Sequence, residues 1–387
     1  MKISFFSNFL NDHQMPLCQE FLKDSQIDFV FVAFEPIAKE RLDLGFKDMN
    51  KNNFVLRVYD GENEAKMAMK LCMESDIVIL GSAPEKYIKE RMKKGLLTFR
   101  YSERIYKKGL YHFFSPRAMF NLYRNHRKFS NKPLYLLCAS AFTSMDFARS
   151  GAYKNKAYKW GYFPEVKKYE NINTVIENKK QNTLLWAGRF IDWKHPEKAI
   201  EVTRRLKAEG YVFALNMIGS GAREDDIKAL ISKYSLQDCV CILGSMSPEK
   251  VREYMESSQI FLFTSDRNEG WGAVLNESMN SGCAVVASSA IGSVSFLIKD
   301  GENGLIYRDD DLDDLYNKVK YLLDNPEKSK CFGEEAYKTL CEEWNAENAA
   351  KRFIDLAQAI INGENTPDIF DNGVCSKAEL LKDDWYK

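Results

Sequence analysis

The chain is 387 residues long, enough for two domains each with its own core, and its 55 Lys/Arg balance 55 Asp/Glu, although residues 1–180 hold 31 basic and only 20 acidic side chains. No apolar run approaches the roughly 18 residues that a membrane-crossing helix needs, and residues 1–9 lack the long apolar core and cleavage site of a signal peptide. Nine dispersed cysteines without metal-ligand spacing suit buried thiols in a reducing compartment, so a cytoplasmic protein is expected.

Residues 2–7 read as a first strand, followed by a polar loop over 8–14 and a helix beginning near Pro16. Apolar runs at 29–34, 54–59, 77–80, 97–101 and 134–138 fit further strands. Helical patterns intervene, for example 62–74 and 116–128, where Ser115 and Pro116 make a helix start. Strands alternating with helices at this spacing predict an α/β fold with a parallel sheet covered on both faces, a Rossmann-like domain over 1–164. Residues 165–182 are polar and lysine-rich without apolar periodicity, which predicts a linker.

The alternation then restarts. Strands are expected at 184–187, 212–218, 240–243, 260–264 and 284–287, with helices at 195–209, 224–234, 248–256 and 273–280 between them. Helices at 312–323 and 327–341 complete a second Rossmann-like domain over 183–345. A last helix at 346–361 opens the terminal segment 346–387, whose polar part from Asn362 reads as a loosely held tail.

Chemistry concentrates between Asp266 and Ser288. A buried strand runs into the turn Gly270-Trp271-Gly272, and a short helix starts at Ala273 and Val274. First-turn N–H groups have no intrahelical partner, and glycine lets the backbone approach an anion without a Cβ in the way. Glu269 stands just before the glycines and Glu277 eight positions later, where carboxylates accept bonds from sugar or ribose hydroxyls. Taken alone, the arrangement is equally that of an ordinary turn with solvent-facing acids. A second anion contact follows the strand at 184–187, where Gly188, Arg189 and Lys194 lie within one loop. Gly219, in Gly-Ser-Gly after the next strand, is placed to let the backbone approach a ligand.

The run E-G-W-G-A-V-L-N-E-S-M-N-S-G-C-A-V-V-A-S resembles the Glu-x7-Glu signature of the retaining family 4 glycosyltransferases, and Gly188-Arg189 with Lys194 is similar to that family's G-R-x-x-x-x-K. The similarity extends over roughly residues 183–347. It implies the GT-B fold, two Rossmann-like domains facing across a cleft, with the last helix crossing back to the first. It further implies a nucleotide-diphosphate sugar as donor and transfer to a glycan or lipid-linked glycan acceptor, as in bacterial surface polysaccharide synthesis. In that pattern Glu269 contacts the donor sugar, Glu277 holds the ribose, Gly270 to Val274 bind the donor with the amides of Gly272 to Val274 meeting the diphosphate, and Arg189 and Lys194 stabilise the departing nucleoside diphosphate. Gly244 and Met246 match the segment lining the nucleotide base. No cofactor and no catalytic metal are expected, because no Asp-x-Asp motif stands in a suitable loop. A nucleotide-sugar epimerase of the same fold, and a non-catalytic sugar-binding or scaffold subunit of a glycan-assembly complex, are the competing functions.

The first domain departs from the family. The glycine pair expected after the first strand is replaced by residues 8–16, where His13 is the candidate donor or acceptor contact. At the end of the strand 97–101, Arg100 and Glu103 occupy the place of the family's histidine on the acceptor side. Residues 86–132 hold 14 Lys/Arg against Glu90 and Glu103, interleaved with aromatics that include Phe99, Tyr101, Tyr111, Phe113, Phe120 and Tyr123. That composition suits either a solvated face or peripheral contact with an anionic membrane, and no nucleic-acid motif accompanies it.

Overall fold

The structure is a computed structural model that describes residues 1–39, 42, 45, 47–109 and 114–387. It divides into two compact units, Met1–Glu165 with Trp344–Lys382, and Val166–Glu343 with Asp383–Lys387. Tyr111 and Phe113 lie outside the described residues.

The first unit is built on seven parallel strands, β1 (Lys2–Ser7), β2 (Asp28–Ala33), β3 (Val55–Arg57), β4 (Ile77–Leu80), β5 (Thr98–Ser102), β6 (Leu134–Cys138) and β7 (Ala157–Lys159), in the order β3-β2-β1-β4-β5-β6-β7. The strands of such a sheet are covered on both faces and therefore read as unbroken apolar runs, as in the fully buried Ile-Val-Ile-Leu of β4. On one face Phe6, Val78 and Leu136 pack with Tyr87 and Met92 of the helix Lys86–Lys94 and Leu122 of the helix Pro116–Asn125. On the other, Phe99 meets Phe353 with ring centroids 4.8 Å apart, and Phe353 also touches Phe21 and Trp160. Phe353 belongs to the helix Ala346–Ile361, so the last helix of the chain completes the first unit, as the crossover predicts.

The second unit carries six parallel strands, β8 (Lys180–Ala187), β9 (Ala214–Ile218), β10 (Val240–Gly244), β11 (Ser258–Phe263), β12 (Ala284–Ser288) and β13 (Leu305–Tyr307), in the order β10-β9-β8-β11-β12-β13. Both sheets therefore have the doubly wound order, with the direction of winding reversing beside β1 and beside β8.

Two expectations are corrected. The segment read as a linker contains the helix Ile172–Glu177, capped by Asn171, and the start of β8. Its Lys179 is not a solvated linker cation: the ammonium donates to the carbonyls of Met255, Glu256 and Ser281 at 2.7, 3.2 and 2.8 Å and so closes the ends of two helices. The polar tail is firmly held. Val374 and Cys375 are fully buried, Cys375 N–H donates to Lys159 and Lys159 N–H to Ser376, so the tail covers the otherwise open edge at β7. Its last residues join the second unit, where Trp385 Nε1 donates to Ser289 O at 2.9 Å.

The basic stretch 86–132 also needs recounting. Arg91 is completely buried and donates to the carbonyls of Cys72, Ser75, Asp76 and Leu97, and burial lowers it to about 10. Arg104 is buried beside Asp146 at 3.7 Å, and Phe99, Tyr101, Tyr106 and Phe129 are core residues rather than a surface.

Candidate functional site

Chains leaving the carboxyl ends of β8 and β11 diverge to opposite faces of the second sheet, because β8 connects towards β9 and β11 towards β12. Such a switch point opens a crevice where doubly wound sheets take their ligands. The two strands pair directly, Ile260 opposite Leu184, so their loops leave side by side.

The loops are fastened to each other. Trp186 Nε1 donates to Thr264 Oγ1 at 2.8 Å, Thr264 Oγ1 donates to the Lys194 carbonyl at 2.7 Å, and Asp266 N–H donates to the Trp193 carbonyl at 2.9 Å. His195 adds a bridge that the sequence did not reveal. Its Nδ1 lies 2.8 Å from Glu197 Oε1 and its Nε2 3.3 Å from Asp266 Oδ2. Bonds to Asp266 and to Glu197 push the imidazole up to about 9, although partial burial and the nearby Lys198 act the other way. Burial would raise both carboxyls, but hydrogen bonding, the His195 contact foremost, outweighs it and holds Glu197 and Asp266 below the ordinary range. A His-Pro pair at a helix start followed by an acid directly after a strand would have been the signal.

The bridge sets the position of the flagged residues. Lys194 Nζ forms an ion pair with Glu269, each side chain only 14% exposed, and lies 5.7 Å from the Phe263 ring centre. Arg189 is exposed at the rim, its guanidinium 5.6 Å from the Trp193 ring. Thus Lys194 and Glu269 are paired across the two loops, Arg189 is exposed on the same loop as Lys194, and the turn Gly270-Trp271-Gly272 directly follows Glu269.

The turn is shaped by the core. Gly272 has φ +83°, and a Cβ there would stand 2.4 Å from Phe263 Cζ. Trp271 is fully buried, with Nε1 donating to Asn276 Oδ1 at 2.8 Å and its carbonyl accepting from Ser293 Oγ at 2.6 Å. Its indole is therefore a structural anchor, which leaves its backbone as the part of Trp271 able to meet a donor. Ala273 and Val274 are half-buried at the start of the short helix Val274–Asn280, with Glu277 half-buried on it. Gly219 is also reinterpreted. A Cβ on it would stand 1.9 Å from the Gly188 carbonyl oxygen, so the close approach it permits is to the loop carrying Arg189. Phe190 N–H to Ser220 O, at 2.8 Å, seals that contact. Gly244 ends β10, where its carbonyl accepts from Gly219 N–H at 2.8 Å, and Met246 follows half-buried.

In the first unit the structure brings two of the three acceptor-side candidates together. His13 stacks on Tyr162 at 5.6 Å, and Tyr162 OH donates to Glu103, which also pairs with Lys107. Arg100 is separate. Its neighbour Tyr101 faces Tyr162, so strand alternation turns Arg100 to the other face, where it pairs with Glu85 at 2.8 Å. Among the described residues, no group of three or more His, Cys, Asp or Glu is placed to hold a metal ion.

Fold and site together define a doubly wound α/β protein of two Rossmann-like units with an acid- and cation-lined crevice at the second switch point. Residues 167–339, most of the second unit, match the family of glycosyl transferases group 1. An uncharacterized glycosyltransferase of Methanocaldococcus jannaschii is 26% identical over 206 residues, 51% of this chain and 51% of that protein. The N-acetylgalactosamine-N,N'-diacetylbacillosaminyl-diphospho-undecaprenol 4-alpha-N-acetylgalactosaminyltransferase of Campylobacter jejuni is 30% identical over 158 residues, 41% of each. The chain spans about half the length of the curated relatives it matches. Among solved structures, HepE of Anabaena in complex with UDP superposes with a TM-score of 0.69 at 14% identity, covering 93% of this chain and 100% of that one. The likeness extends to the whole fold, the GT-B class.

Proposed function

We propose that the protein is a retaining glycosyltransferase that takes a sugar from a nucleotide-diphosphate donor and transfers it to a glycan or lipid-linked glycan, in the synthesis of a bacterial surface polysaccharide. The observation that carries this reading is the Lys194–Glu269 pair at the switch point of the second unit, with Arg189 exposed on the same loop as Lys194. The group 1 match supports the reaction class, the UDP held by the Anabaena neighbour supports the donor, and the Campylobacter relative's diphospho-undecaprenol-linked acceptor supports the acceptor class.

Charge-assisted hydrogen bonds contribute about 1.5–3 kcal/mol each, against about 0.3–1 for a helix N-terminus, so Arg189 and Lys194 dominate binding of the diphosphate. Lys194 is paired with Glu269, and in this reading its ammonium serves both the donor sugar and the leaving phosphate. As the glycosidic bond lengthens, positive charge grows on the sugar and negative charge on the diphosphate. Glu269 faces the first and the two cations the second, so both are stabilised without a metal. Glu277 accepts from the ribose hydroxyls.

Incubation with nucleotide-sugars and a panel of lipid-linked and free glycans, with the product's anomeric configuration read by NMR, tests the reading. A glycoside of retained configuration is expected. Interconversion of the donor sugar without acceptor would make the protein an epimerase, and donor binding without turnover a scaffold.

A further inference from the structure

Between Glu103 and Asp146 the sequence has no acidic residue and eight Lys/Arg. Arg104 is buried and Lys107 is paired with Glu103, but Lys108, Arg117, Arg124, Arg127, Lys128 and Lys132 are exposed. At their centre is the helix Pro116–Asn125, of which only Leu122 is buried. Ala118, Leu122 and Asn125 recur at i, i+4 and i+7 and turn towards the unit.

The outward side is apolar where a surface helix is ordinarily polar. Met119, Phe120 and Tyr123 are 49%, 59% and 54% exposed, and Phe114, just before the helix, is 75% exposed. Arg117 and Arg124, seven residues apart, line one edge of this stripe, the Arg124 guanidinium 5.7 Å from the Phe120 ring. The helix Lys86–Lys94 packs into the same core cluster through Tyr87 and Met92, so it covers the same face of the sheet, and it exposes Lys86, Lys93 and Lys94.

We infer that this face docks on an anionic lipid surface, with Met119, Phe120 and Tyr123 entering the interface and the surrounding cations meeting lipid phosphates. Exposed methionine and phenylalanine gain most from hydrocarbon, and a bilayer supplies hydrocarbon and negative charge side by side, in the geometry of this helix. No helix among the described residues is long and apolar enough to cross a membrane, so the contact is interfacial. The inference is independent of the donor site and is tested without nucleotide.

The test is co-sedimentation of the full chain with vesicles of phosphatidylcholine, alone or with about a third phosphatidylglycerol, at low salt and at about 0.5 M salt. Wild type is expected to pellet with the anionic vesicles only, more weakly at high salt. Arg117→Glu with Arg124→Glu should weaken low-salt binding on the order of 30-fold. Met119→Ser with Phe120→Ser should abolish what persists at high salt, with thermal stability unchanged in both. Should a double variant unfold early, Tyr123→Ser and Lys128→Glu carry the same test. Equal recovery on neutral and anionic vesicles, or variants that pellet like wild type, overturns the inference. So does wild-type binding to a single-stranded RNA or an acidic peptide but not to vesicles.

Discussion

His195 offers a prediction whose sign depends on pH. It is held between Asp266 and Glu197, and it has a left-handed backbone at φ 48°. Moving its pKa from 6.5 to about 9 corresponds to about 3 kcal/mol at 1.36 kcal/mol per unit. A quarter of the side chain faces water, and screening reduces this to about 1–2 kcal/mol. Because the folded value lies above the unfolded one, the contribution is complete below the ordinary pKa and disappears as pH rises through about 9. The left-handed backbone costs a non-glycine residue about 1–2 kcal/mol at every pH. His195→Gly removes both effects. The variant should roughly match wild type near about pH 6 and exceed it near about pH 9.5 by about 1 kcal/mol, a gain of about 2–4 °C in melting temperature. Thermal unfolding of both proteins across that range is the assay. NMR titration checks the cause, because His195 is one of four histidines and His195→Gln identifies its resonance. A gap between the two proteins that does not change with pH, or an imidazole titrating at 6.5, refutes the bridge.

Arg91→Ala leaves the carbonyls of Cys72, Ser75, Asp76 and Leu97 without this donor and should destabilise the protein by about 1–3 kcal/mol for each one left buried, read as loss of melting temperature. Gly219→Ala forces the Gly188 loop to move and should weaken binding of a nucleoside diphosphate at least about tenfold through Arg189; calorimetry measures it. Arg189→Ala and Lys194→Ala should each lower turnover by roughly 10²–10³. Glu269→Ala should act mainly on kcat and Glu277→Ala mainly on KM, which steady-state kinetics separates.

Long, doubly buried strands were legible because a parallel sheet demands continuous apolar runs, as in β4 and β6 and in Ala284–Ser288. The three-residue strands β7 and β13 are too short to show any period. The segment around Ile172–Glu177 hid for a similar reason: its anchor is the single buried Ile176, and its Lys179 looks solvated until the distant carbonyls it caps are in place. Local motifs gave the cations and acids, since Gly188 to Lys194 lie on one loop and Glu269 to Glu277 on one turn and the helix that follows it. What joins the two loops was not visible, because Asp266 is 71 positions from His195 and only the pairing of β8 with β11 brings them together. Charge counts failed at Arg91 and Arg104 for the converse reason: a count treats every cation as solvated, and these two are inside.

The central claim is that the second unit binds a nucleotide-diphosphate sugar through Arg189 and Lys194. Isothermal titration with UDP-, GDP- and ADP-sugars, on wild type and on the Arg189→Ala, Lys194→Ala double variant, tests it directly. Saturable binding of at least one donor, weakened at least about tenfold in the double variant, is expected. Binding of equal strength in both proteins, or no binding of any nucleotide-sugar, contradicts it.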